Sequence, residues 1–372
     1  MKIVMIDSHA EIERGGAIQC ARLAATLAER GHELTCVFDT AARSSGKVSP
    51  EWARMDKAGV EILRRPLKSI AAMRAFRREL EALRPDIVHT HKNGALYFLA
   101  GATLNRRNFG WVANRGTEYS LLREPPAWAI HRYWVDRMIP VADAVKAQLI
   151  RDGIPARRLR TIYGSFDVER FNPATSGEAA RQAWGVPANA PLVGMAASFK
   201  SRKKGQSDFL SAAAKVVERH ADACFVLAGD GNSARWQREA RELGIAERVR
   251  FPGFVADMPA ALAAMDAVVC ASTRGEGLTG SVREALAMAR PVVSTDVAGN
   301  RELVRNGETG LLVPPGDPQA LAEALSRLLA DRDAAAAMGQ AGRKLVLELC
   351  TDDARARQVE ELYRELLAER AA

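Results

Sequence analysis

Two series of short apolar, β-branched runs separated by helical patterns extend along the sequence. In the first half the strand-like runs are 2–7, 33–39, 60–63, 86–91, 110–114, 137–142 and 160–163. After a Pro- and Ala-rich stretch that ends at Pro191, the second series comprises 192–197, 224–229, 249–254, 267–271, 291–295 and 310–313. Strands that alternate with helices form parallel sheets with crossover connections. The sequence therefore predicts an α/β fold with two Rossmann-like domains.

The length agrees with two domains, because 372 residues exceed twice a common domain length of ~150 residues. We place an N-terminal domain at residues 1–172 and a C-terminal domain at 173–351. The last stretch, 352–369, has a helical apolar stripe made of Val359, Leu362, Tyr363, Leu366 and Leu367. Sequence alone leaves open which domain this helix packs on, and we expect residues 352–372 to complete the first domain.

Composition excludes several classes of protein. No stretch approaches the ~20 apolar residues of a membrane span, and the N-terminus leads directly into a strand-like run instead of a signal peptide, so a cytoplasmic location is expected. The five cysteines are scattered without CxxC or Cys/His spacing, which argues against a disulfide framework or a zinc site. We expect core thiols in a reducing compartment.

Positive charge is concentrated in the first half: residues 1–172 hold 28 Lys and Arg against 19 Asp and Glu. The densest part is a predicted amphipathic helix with apolar residues at spacings of three and four. Its cations are Arg64, Arg65, Lys68, Arg74, Arg77, Arg78 and Arg84, and its apolar residues are Leu67, Ile70, Met73, Phe76 and Leu80. A solvated face of an internal helix and a docking face for an anionic membrane both fit this pattern. Nucleic acid fits less well, because no binding motif accompanies the charge.

A Gly-Gly turn, Gly15-Gly16, opens a helical pattern after the first strand. Backbone N–H groups at such a helix start can bind a phosphate or an incoming hydroxyl group, although a glycine pair that only makes a tight turn fits equally. The spacing is not GxGxxG, so a nicotinamide dinucleotide site is poorly supported.

The second half carries its polar residues at the carboxyl ends of three neighbouring predicted strands, where open α/β sheets bind ligands. Gly229 and Gly231 close one strand, Arg250–Phe254 close the next, and the segment 272–284 leads from the third into a helix. In that last segment Glu276 lies in a loop and Glu284 about one turn into a helix. A loop carboxylate can contact a sugar while free N–H groups at the helix start bind a diphosphate.

The segment 276–284, EGLTGSVRE, resembles the E-x7-E motif of glycosyltransferase family 4, the retaining group with the GT-B fold. Further similarities span nearly the whole chain. They include Gly15-Gly16, the segment PDIVHTH at 85–91, 163–171, 227–231, 248–255 and the segment from Gly299 to Pro314. The resemblance implies two Rossmann-like domains whose parallel sheets face each other across a cleft, and a donor site on the C-terminal domain.

The resemblance also implies roles for individual residues. Glu284 would accept hydrogen bonds from the ribose of the nucleotide, and Glu276 would lie beside the donor sugar. The diphosphate would meet backbone N–H groups near Gly277, Leu278 and Thr279, with Gly16 across the cleft. Residues from Arg250 to Phe254 would line the base pocket, and Gly15, Gly229 and Gly231 would complete the donor site.

The family uses an Arg and a Lys to neutralise the leaving diphosphate, and the matching segment here is 197–205, ASFKSRKKG. Lys204 matches the Lys before Gly. The usual Arg position is not occupied, so Lys200 or Arg202 must substitute for it. Two cations in a closed site stabilise the charge that accumulates on a departing nucleoside diphosphate. A solvated cluster of cations on a surface loop is the structural alternative.

The first half departs from the family at one position. The family often has a His after the strand that here reads GWVANRGTE at 110–118, whereas this chain has Arg115 and Gly116. Arg115 could bind a phosphate or carboxylate on the acceptor, or it could form a salt bridge with Glu118. We consider Arg115, Glu118 and His91 as acceptor-binding candidates. His89 and His91 alternate on one strand, so we predict that one of the two points into the core.

The resemblance predicts an enzyme: a retaining, metal-independent transferase that moves a sugar from a nucleoside diphosphate sugar, with UDP favoured. No metal-binding DxD is present and no cofactor is expected, because the nucleotide sugar is a substrate. The expected acceptor is a glycan or lipid-linked glycan such as lipopolysaccharide core or an exopolysaccharide precursor. A GT-B-like sugar-nucleotide epimerase and a non-catalytic nucleotide-sugar binding protein remain alternatives.

Overall fold

A computed structural model describes residues 1–12, 15–40 and 49–372, and these residues divide into two compact units. The first unit contains Met1–Ser165 and Asp352–Ala372, and the second contains Phe166–Thr351. The chain leaves the first unit ahead of the expected boundary after residue 172. The reason is local pairing: the backbone N–H of Phe166 donates to the carbonyl of Cys350 at 3.0 Å, and Phe166 forms a parallel bridge with Thr351. Both termini of the second unit are thereby joined.

The first unit is built on a parallel sheet of six strands in its described residues, in the order β3-β2-β1-β4-β5-β6. The strands are β1 (Lys2–Asp7), β2 (Glu33–Asp39), β3 (Glu61–Arg65), β4 (Ile87–His91), β5 (Gly110–Arg115) and β6 (Arg137–Pro140). Strands β1 and β4 are buried along nearly their whole length, as expected for a parallel sheet with both faces covered.

The strand predicted at 160–163 is wrong. Residues next to β6 donate two backbone hydrogen bonds to it, from Arg160 to Met138 and from Ile162 to Pro140. A parallel ladder also needs N–H groups from the partner, and proline has none. Pairing therefore stops at an isolated bridge between Met138 and Leu159.

Helices cover the first sheet, and several begin or end at recognisable capping residues. Gly31 ends α1 in the left-handed conformation (φ 88°), and N–H groups of Gly31 and His32 donate back to Ala28 and Leu27, as in a Schellman motif. Ser69 begins α3 by accepting from the N–H of Ala72. The helices are α1 (Gly15–Glu29), α2 (Pro50–Lys57), α3 (Ile70–Leu83), α4 (Lys92–Thr103), α5 (Pro125–Tyr133) and α6 (Asp143–Arg151).

The predicted basic amphipathic helix begins later than expected, since Arg64 and Arg65 lie on β3 and Leu67 precedes α3. Its predicted apolar residues are only partly buried. Leu67, Phe76 and Leu80 lie in the interior, whereas Met73 is half-buried and the Ile70 side chain is 66% exposed. Phe76 packs on Phe98 of α4 with ring centroids 5.0 Å apart. Phe76 and Leu80 therefore attach the helix, while Ile70 in its first turn lies on the solvent side.

The C-terminal helix Asp352–Ala371 belongs to the first unit. Of its predicted stripe, Val359, Leu362, Tyr363 and Leu366 are buried in the core around β1 and α1, and Leu367 packs partly against it. Ion pairs to Asp352 hold the first residue of this helix in place. The Arg22 guanidinium of α1 donates to both carboxylate oxygens of Asp352, at 3.1 and 2.7 Å, and Arg54 donates at 2.6 Å.

The second unit repeats the architecture with a parallel sheet in the order β12-β11-β10-β7-β8-β9. Its strands are β7 (Leu192–Ala196), β8 (Cys224–Ala228), β9 (Val249–Gly253), β10 (Ala267–Cys270), β11 (Val292–Thr295) and β12 (Leu311–Val313). Each lies within its predicted run. The core on one side of this sheet is centred on Phe209, Phe225 and Leu325.

Asp residues cap three helices of the second unit: Asp257, Asp317 and Asp331 each accept a hydrogen bond from a backbone N–H in the first turn. The helices are α7 (Glu178–Ala183), α8 (Gln206–Arg219), α9 (Ala234–Glu242), α10 (Met258–Ala264), α11 (Gly280–Ala287), α12 (Asn300–Leu303), α13 (Pro318–Ala330) and α14 (Arg332–Leu349); the C-terminal helix is α15. Across the described ranges, none of the helices is both long and apolar enough to span a membrane. All five cysteines are buried and unpaired.

Candidate functional site

The strand order of the second sheet reverses between β7 and β10. From β7 the chain proceeds to β8 and β9 on one side, and from β10 to β11 and β12 on the other. Ligands of open α/β sheets bind at such a switch point, outside the carboxyl ends of the strands. The loops after β7 and β10 contain the predicted cation cluster and Glu276, so the topology brings these two motifs together.

An ion pair joins the two loops. Lys204 Nζ lies 2.8 Å from Glu276 Oε1, and the Ser272 hydroxyl lies 3.2 Å from the same oxygen. The Glu276 carboxylate is mostly buried and Lys204 half-buried, so the pair is partly shielded from water. The sequence predicted both residues, but it did not predict Ser272 as their partner.

Local backbone geometry places Lys204 at this position. Residues Arg202–Lys204 form a 3-10 turn that ends at Gly205 with φ 76°. A Cβ on Gly205 would lie 1.9 Å from the carbonyl oxygen of Ala271, so only glycine permits this close approach. The N–H of Thr273 also donates to the Lys203 carbonyl at 2.8 Å. The turn is therefore held against the end of β10.

The other predicted cations have different surroundings. Lys200 Nζ lies 2.6 Å from an oxygen of Asp230, which follows β8, and Arg202 is exposed. Gly229 and Gly231 frame this second pair: a Cβ on Gly229 would lie 1.9 Å from the Ala197 carbonyl oxygen, and Gly231 has φ 105°. Of the three predicted cations, Lys204 thus contacts Glu276, while Lys200 and Arg202 lie at the rim of the candidate site.

The segment that carries the second glutamate is also fixed by a buried side chain. Asn300 accepts from the N–H of Thr279 at 3.3 Å and donates to Ser294 at 3.0 Å. The N–H of Thr279, which was predicted to bind a diphosphate, therefore has an internal partner. The N–H of Leu278, the other predicted donor, remains a candidate for binding the diphosphate. Glu284 is half-buried on α11, with Oε1 3.9 Å from the position of a Cβ on Gly280.

Arg250 and Phe254, predicted to line the base pocket, differ in environment. The Arg250 guanidinium donates to the carbonyls of Trp184 and Glu247, both at 2.8 Å, and so secures the backbone that precedes β7. The Phe254 ring is 60% exposed. The Arg250 side chain is engaged with the backbone.

The first sheet has its own switch point between β1 and β4. Asp7 at the end of β1 is fully buried, and its Oδ1 accepts from the backbone N–H and Nδ1 of His9 at 2.8 and 2.5 Å. His9 Nε2 contacts Lys92 Nζ, which follows β4. Burial opposes ionisation of Asp7, yet the hydrogen bond from His9 and the fields of His91 and His9 hold its pKa below the usual value.

Sequence reasoning missed this Asp7–His9–Lys92 cluster, although polar residues at the ends of two apolar strands were a visible signal. Gly16, which was predicted, lies beside it. A Cβ on Gly16 would lie 3.2 Å from His9 Cε1 and 3.8 Å from Lys92 Cε. Gly15 and Gly16 are exposed at the start of α1.

Arg115 has a different partner from the one considered. Its Nη2 donates to the Tyr119 carbonyl at 2.5 Å, and the ion pairs found in residues 49–372 include none between Arg115 and Glu118. Burial lowers the pKa of Arg115, while Glu124 and Asp152 oppose that shift. Glu118 is half-buried. The structure therefore leaves the acceptor-binding alternative for Arg115 in place.

Both histidines of β4 are buried, and their rings stack with centroids 4.4 Å apart. The prediction that only one points inward is wrong, because residues two apart in a strand lie on the same face. His89 Nδ1 is 2.7 Å from the Tyr363 hydroxyl, and burial, with the Arg355 cation, lowers its pKa to about 3. His91 is buried as well, with 3% of its surface exposed.

One group of potential metal ligands lies in the described residues: Asp7, Cys20 and His91, with ligand atoms within 4.8 Å of one another. All three are buried. Burial, reinforced by Asp7, raises the pKa of the Cys20 thiol well above its usual value. A protonated thiol is a poor metal ligand, so this group is better described as polar core.

Comparison with known proteins identifies both halves of the chain. Residues 14–170 match the model of Glycosyltransferase Family 4, and residues 190–331 match that of Glycosyl transferases group 1. D-inositol 3-phosphate glycosyltransferase of Corynebacterium urealyticum is 31% identical over 323 residues, which cover 78% of this chain and 74% of the relative. The chain belongs to glycosyltransferase family 4.

Two further similarities concern this glycosyltransferase. The lipopolysaccharide core biosynthesis glycosyltransferase LpsE of Rhizobium meliloti is 32% identical over 184 residues, 49% of this chain and 51% of LpsE. The structure is also similar to the crystal structure of Anabaena HepE in complex with UDP, with a TM-score of 0.83 and 22% sequence identity. The match covers 98% of this chain and 100% of HepE. The predicted GT-B fold class, with two six-stranded parallel sheets, is confirmed.

Proposed function

We propose that this glycosyltransferase is a retaining enzyme that moves a sugar from a nucleoside diphosphate sugar, with UDP as the nucleotide, to a glycan or lipid-linked acceptor. The observation that carries the proposal is the Lys204–Glu276 pair at the β7/β10 switch point, 2.8 Å across. A cation and a carboxylate at the start of a helix suit a ligand that has an anionic leaving group attached to a polyhydroxylated ring.

In the proposed donor complex, Lys204 turns to the diphosphate, and Lys200 and Arg202 add positive charge at the rim. Glu276 then accepts hydrogen bonds from the sugar hydroxyls, and Glu284 accepts them from the ribose. Preorganised charge of this kind stabilises the leaving group without reorganisation of solvent. Because the cations and the α11 N-terminus supply this charge, we propose that no metal ion and no cofactor are needed.

The proposed reaction breaks the bond between the anomeric carbon and the diphosphate oxygen, which leaves with the electron pair. The acceptor oxygen forms its bond to the same face of the oxocarbenium-like carbon, and its proton passes to the leaving phosphate. No protein nucleophile is involved. Glu276 is therefore a positioning residue for the sugar, unlike one member of a glycosidase carboxylate pair.

UDP as the nucleotide is supported by HepE, which was solved with UDP, with UDP and glucose, and with UDP-glucose. A lipopolysaccharide core or exopolysaccharide precursor as the acceptor is supported by the name of LpsE. Arg115, Glu118 and His91 are the proposed acceptor-binding residues of the first unit.

Association with an anionic membrane surface is part of the proposal. On α3 the cations Arg74 and Arg78 are exposed together with Ile70, a combination that favours an interface of anionic headgroups and acyl chains. Sedimentation with vesicles that contain anionic lipid should be strong at low salt and weak for Arg74→Glu/Arg78→Glu. Equal sedimentation of both proteins would exclude this surface.

The enzymatic proposal is tested by release of nucleoside diphosphate from UDP-, GDP- and ADP-sugars, with glycolipid acceptors, with and without EDTA. We expect acceptor-dependent release from one UDP-sugar, unaffected by EDTA and lowered about 100-fold in Glu276→Gln. Glu308→Gln, an exposed residue outside the site, is the control.

Other outcomes identify the alternative functions. Conversion of the donor without any acceptor would indicate an epimerase, and binding without turnover would indicate a non-catalytic nucleotide-sugar binding protein. Loss of activity in EDTA that returns with a divalent cation would contradict metal independence.

A further inference from the structure

One buried amide, that of Asn300, contacts the E-x7-E segment from the neighbouring loop. Asn300 is fully buried and begins α12, after β11. Strands β10 and β11 are parallel neighbours, so the loops that follow them lie side by side. The loop after β10 contains Glu276 and leads into α11, and the loop after β11 leads to Asn300.

Hydrogen bonding assigns the orientation of the amide. The backbone N–H of Thr279 can only donate, so the atom 3.3 Å from it is the carbonyl oxygen of Asn300. The amide nitrogen then donates to Ser294 Oγ at 3.0 Å and to Cys270 Sγ at 3.5 Å. The Ser294 hydroxyl in turn donates to the Thr295 carbonyl at 3.0 Å. An amide that is bonded at both ends inside a buried network is held in one orientation.

A second branch of the network leads to the carboxylate of Glu276. The thiol of Cys270, which accepts from Asn300, lies 3.9 Å from Ser272 Oγ and makes a weak hydrogen bond to it. The Ser272 hydroxyl donates to Glu276 Oε1 at 3.2 Å. The network that begins at Asn300 therefore reaches the carboxylate that is expected beside the donor sugar.

The backbone next to Asn300 holds the same segment at another point. The N–H of Gly299 donates to the carbonyl of Gly277 at 2.8 Å. The segment is thus held at residues 277 and 279, on both sides of Leu278. Thr279 is the N-cap residue of α11, and its side chain makes no capping hydrogen bond. The contact with Asn300 therefore fixes, through the backbone, the residue from which α11 starts.

From these contacts we infer that Asn300 is a positioning residue for the nucleotide: it holds the loop between Glu276 and Glu284 in the binding conformation before the ligand arrives. The inference rests on the proposed function, in which this loop and α11 bind the nucleoside diphosphate. A loop held in advance loses less conformational freedom on binding than a loose one. Loss of the amide therefore weakens nucleotide binding although Asn300 itself does not touch the nucleotide.

Calorimetric titration of UDP into Asn300→Leu tests this role, because leucine has a similar volume and no hydrogen-bonding atoms. The matched control is Thr309→Val. The buried Thr309 hydroxyl donates to the Leu303 carbonyl at 2.6 Å and accepts from the N–H of Arg305 at 2.8 Å, but Thr309 precedes β12, at the opposite edge of the sheet. We expect Asn300→Leu to weaken UDP binding at least tenfold, and Thr309→Val to leave it within about twofold.

Ser294→Ala is a milder variant, because it removes one partner of the amide nitrogen and leaves Asn300 in place. We expect it to weaken UDP binding about threefold. Thermal unfolding shows whether each variant retains the fold, and Ser294→Ala carries the test if Asn300→Leu does not fold. Hydrogen–deuterium exchange of the peptide 277–281 reports on the loop itself. Exchange there should be faster in Asn300→Leu than in the wild type, while exchange of the β8 peptide is unchanged.

The inference is overturned if wild type and Asn300→Leu bind UDP equally, or if only Ser294→Ala folds and it binds UDP as the wild type does. An equal loss of affinity in Thr309→Val would also overturn it, since the effect would then follow from stability alone. No UDP binding by the wild-type protein would contradict the proposed function instead. In that case the exchange of peptide 277–281 still decides, and equal exchange in Asn300→Leu and wild type would show that Asn300 does not hold the loop.

Discussion

The buried imidazole of His131 makes the stability of the first unit depend on pH. His131 lies on α5 and is 2% exposed, and neither ring nitrogen has a hydrogen-bond partner among the residues that the structure describes. Burial, with the nearby Arg115 cation, lowers its pKa to about 3. In the unfolded chain the pKa returns to about 6.5.

The sign and size of the effect follow from linkage. Because the unfolded state binds the proton more readily, stability is complete above pH 6.5 and is lost as the pH falls towards 3. Within this window, each pH unit of acidification lowers the free energy of unfolding by about 1.4 kcal/mol for one histidine. At pH 5.0, His131 alone should therefore cost the first unit about 2 kcal/mol relative to pH 7.5.

The variant His131→Phe isolates this contribution. A phenyl ring is similar in size and has no polar atoms to satisfy, so we expect a change within about 1.5 kcal/mol at pH 7.5. Between pH 7.5 and 5.0 the variant should lose about 2 kcal/mol less than the wild type. Hydrogen–deuterium exchange of the β5 peptide, corrected for intrinsic exchange rates, measures both the stability at pH 7.5 and its loss between pH 7.5 and 5.0. The variant His220→Phe in the second unit is the control. Equal losses in wild type and His131→Phe would refute the reasoning.

Two further predictions concern the backbone and the charges that support the fold. Gly205→Ala introduces a clash with a carbonyl oxygen at 1.9 Å, so it should destabilise the second unit by more than about 2 kcal/mol in urea unfolding; Gly316→Ala, with φ 74° and open space, should cost about 1 kcal/mol. Comparable losses would contradict the clash. Asp352→Ala removes the nearest carboxylate from the buried Arg22 guanidinium and should cost about 3 kcal/mol, whereas the exposed Asp353→Ala should cost about 1 kcal/mol or less. Equal costs would show that the Arg22 contact contributes nothing.

Strand positions could be predicted because strands buried on both faces are continuous apolar runs. The runs at 2–7 and 33–39 coincide with β1 and β2, and every run of the second half contains a strand. For the run at 160–163, the apolar character could not show whether a strand forms. Its pairing depends on the N–H that Pro140 lacks in the neighbouring strand, and that neighbour is known only once the sheet is formed.

The candidate site could be predicted in part, because one segment contains both Glu276 and Glu284 at a fixed spacing. The contact between Lys204 and Glu276 could not be, because it depends on the direction of the 3-10 turn before Gly205. The contact between His9 and Lys92 spans 83 residues and requires β1 and β4 to be neighbours. The sequence shows polar residues at the ends of two apolar strands, but it does not show that these two strands are neighbours.

The central claim is that the second unit binds a nucleoside diphosphate through the E-x7-E segment without a metal ion. Calorimetric titration of UDP, GDP, ADP and NAD, with and without magnesium, into the wild type and Glu284→Ala tests it directly. We expect UDP to bind more tightly than the other nucleotides, with an affinity that magnesium leaves unchanged and that Glu284→Ala weakens at least tenfold. Binding of NAD alone, or equal UDP affinity in both proteins, would contradict it.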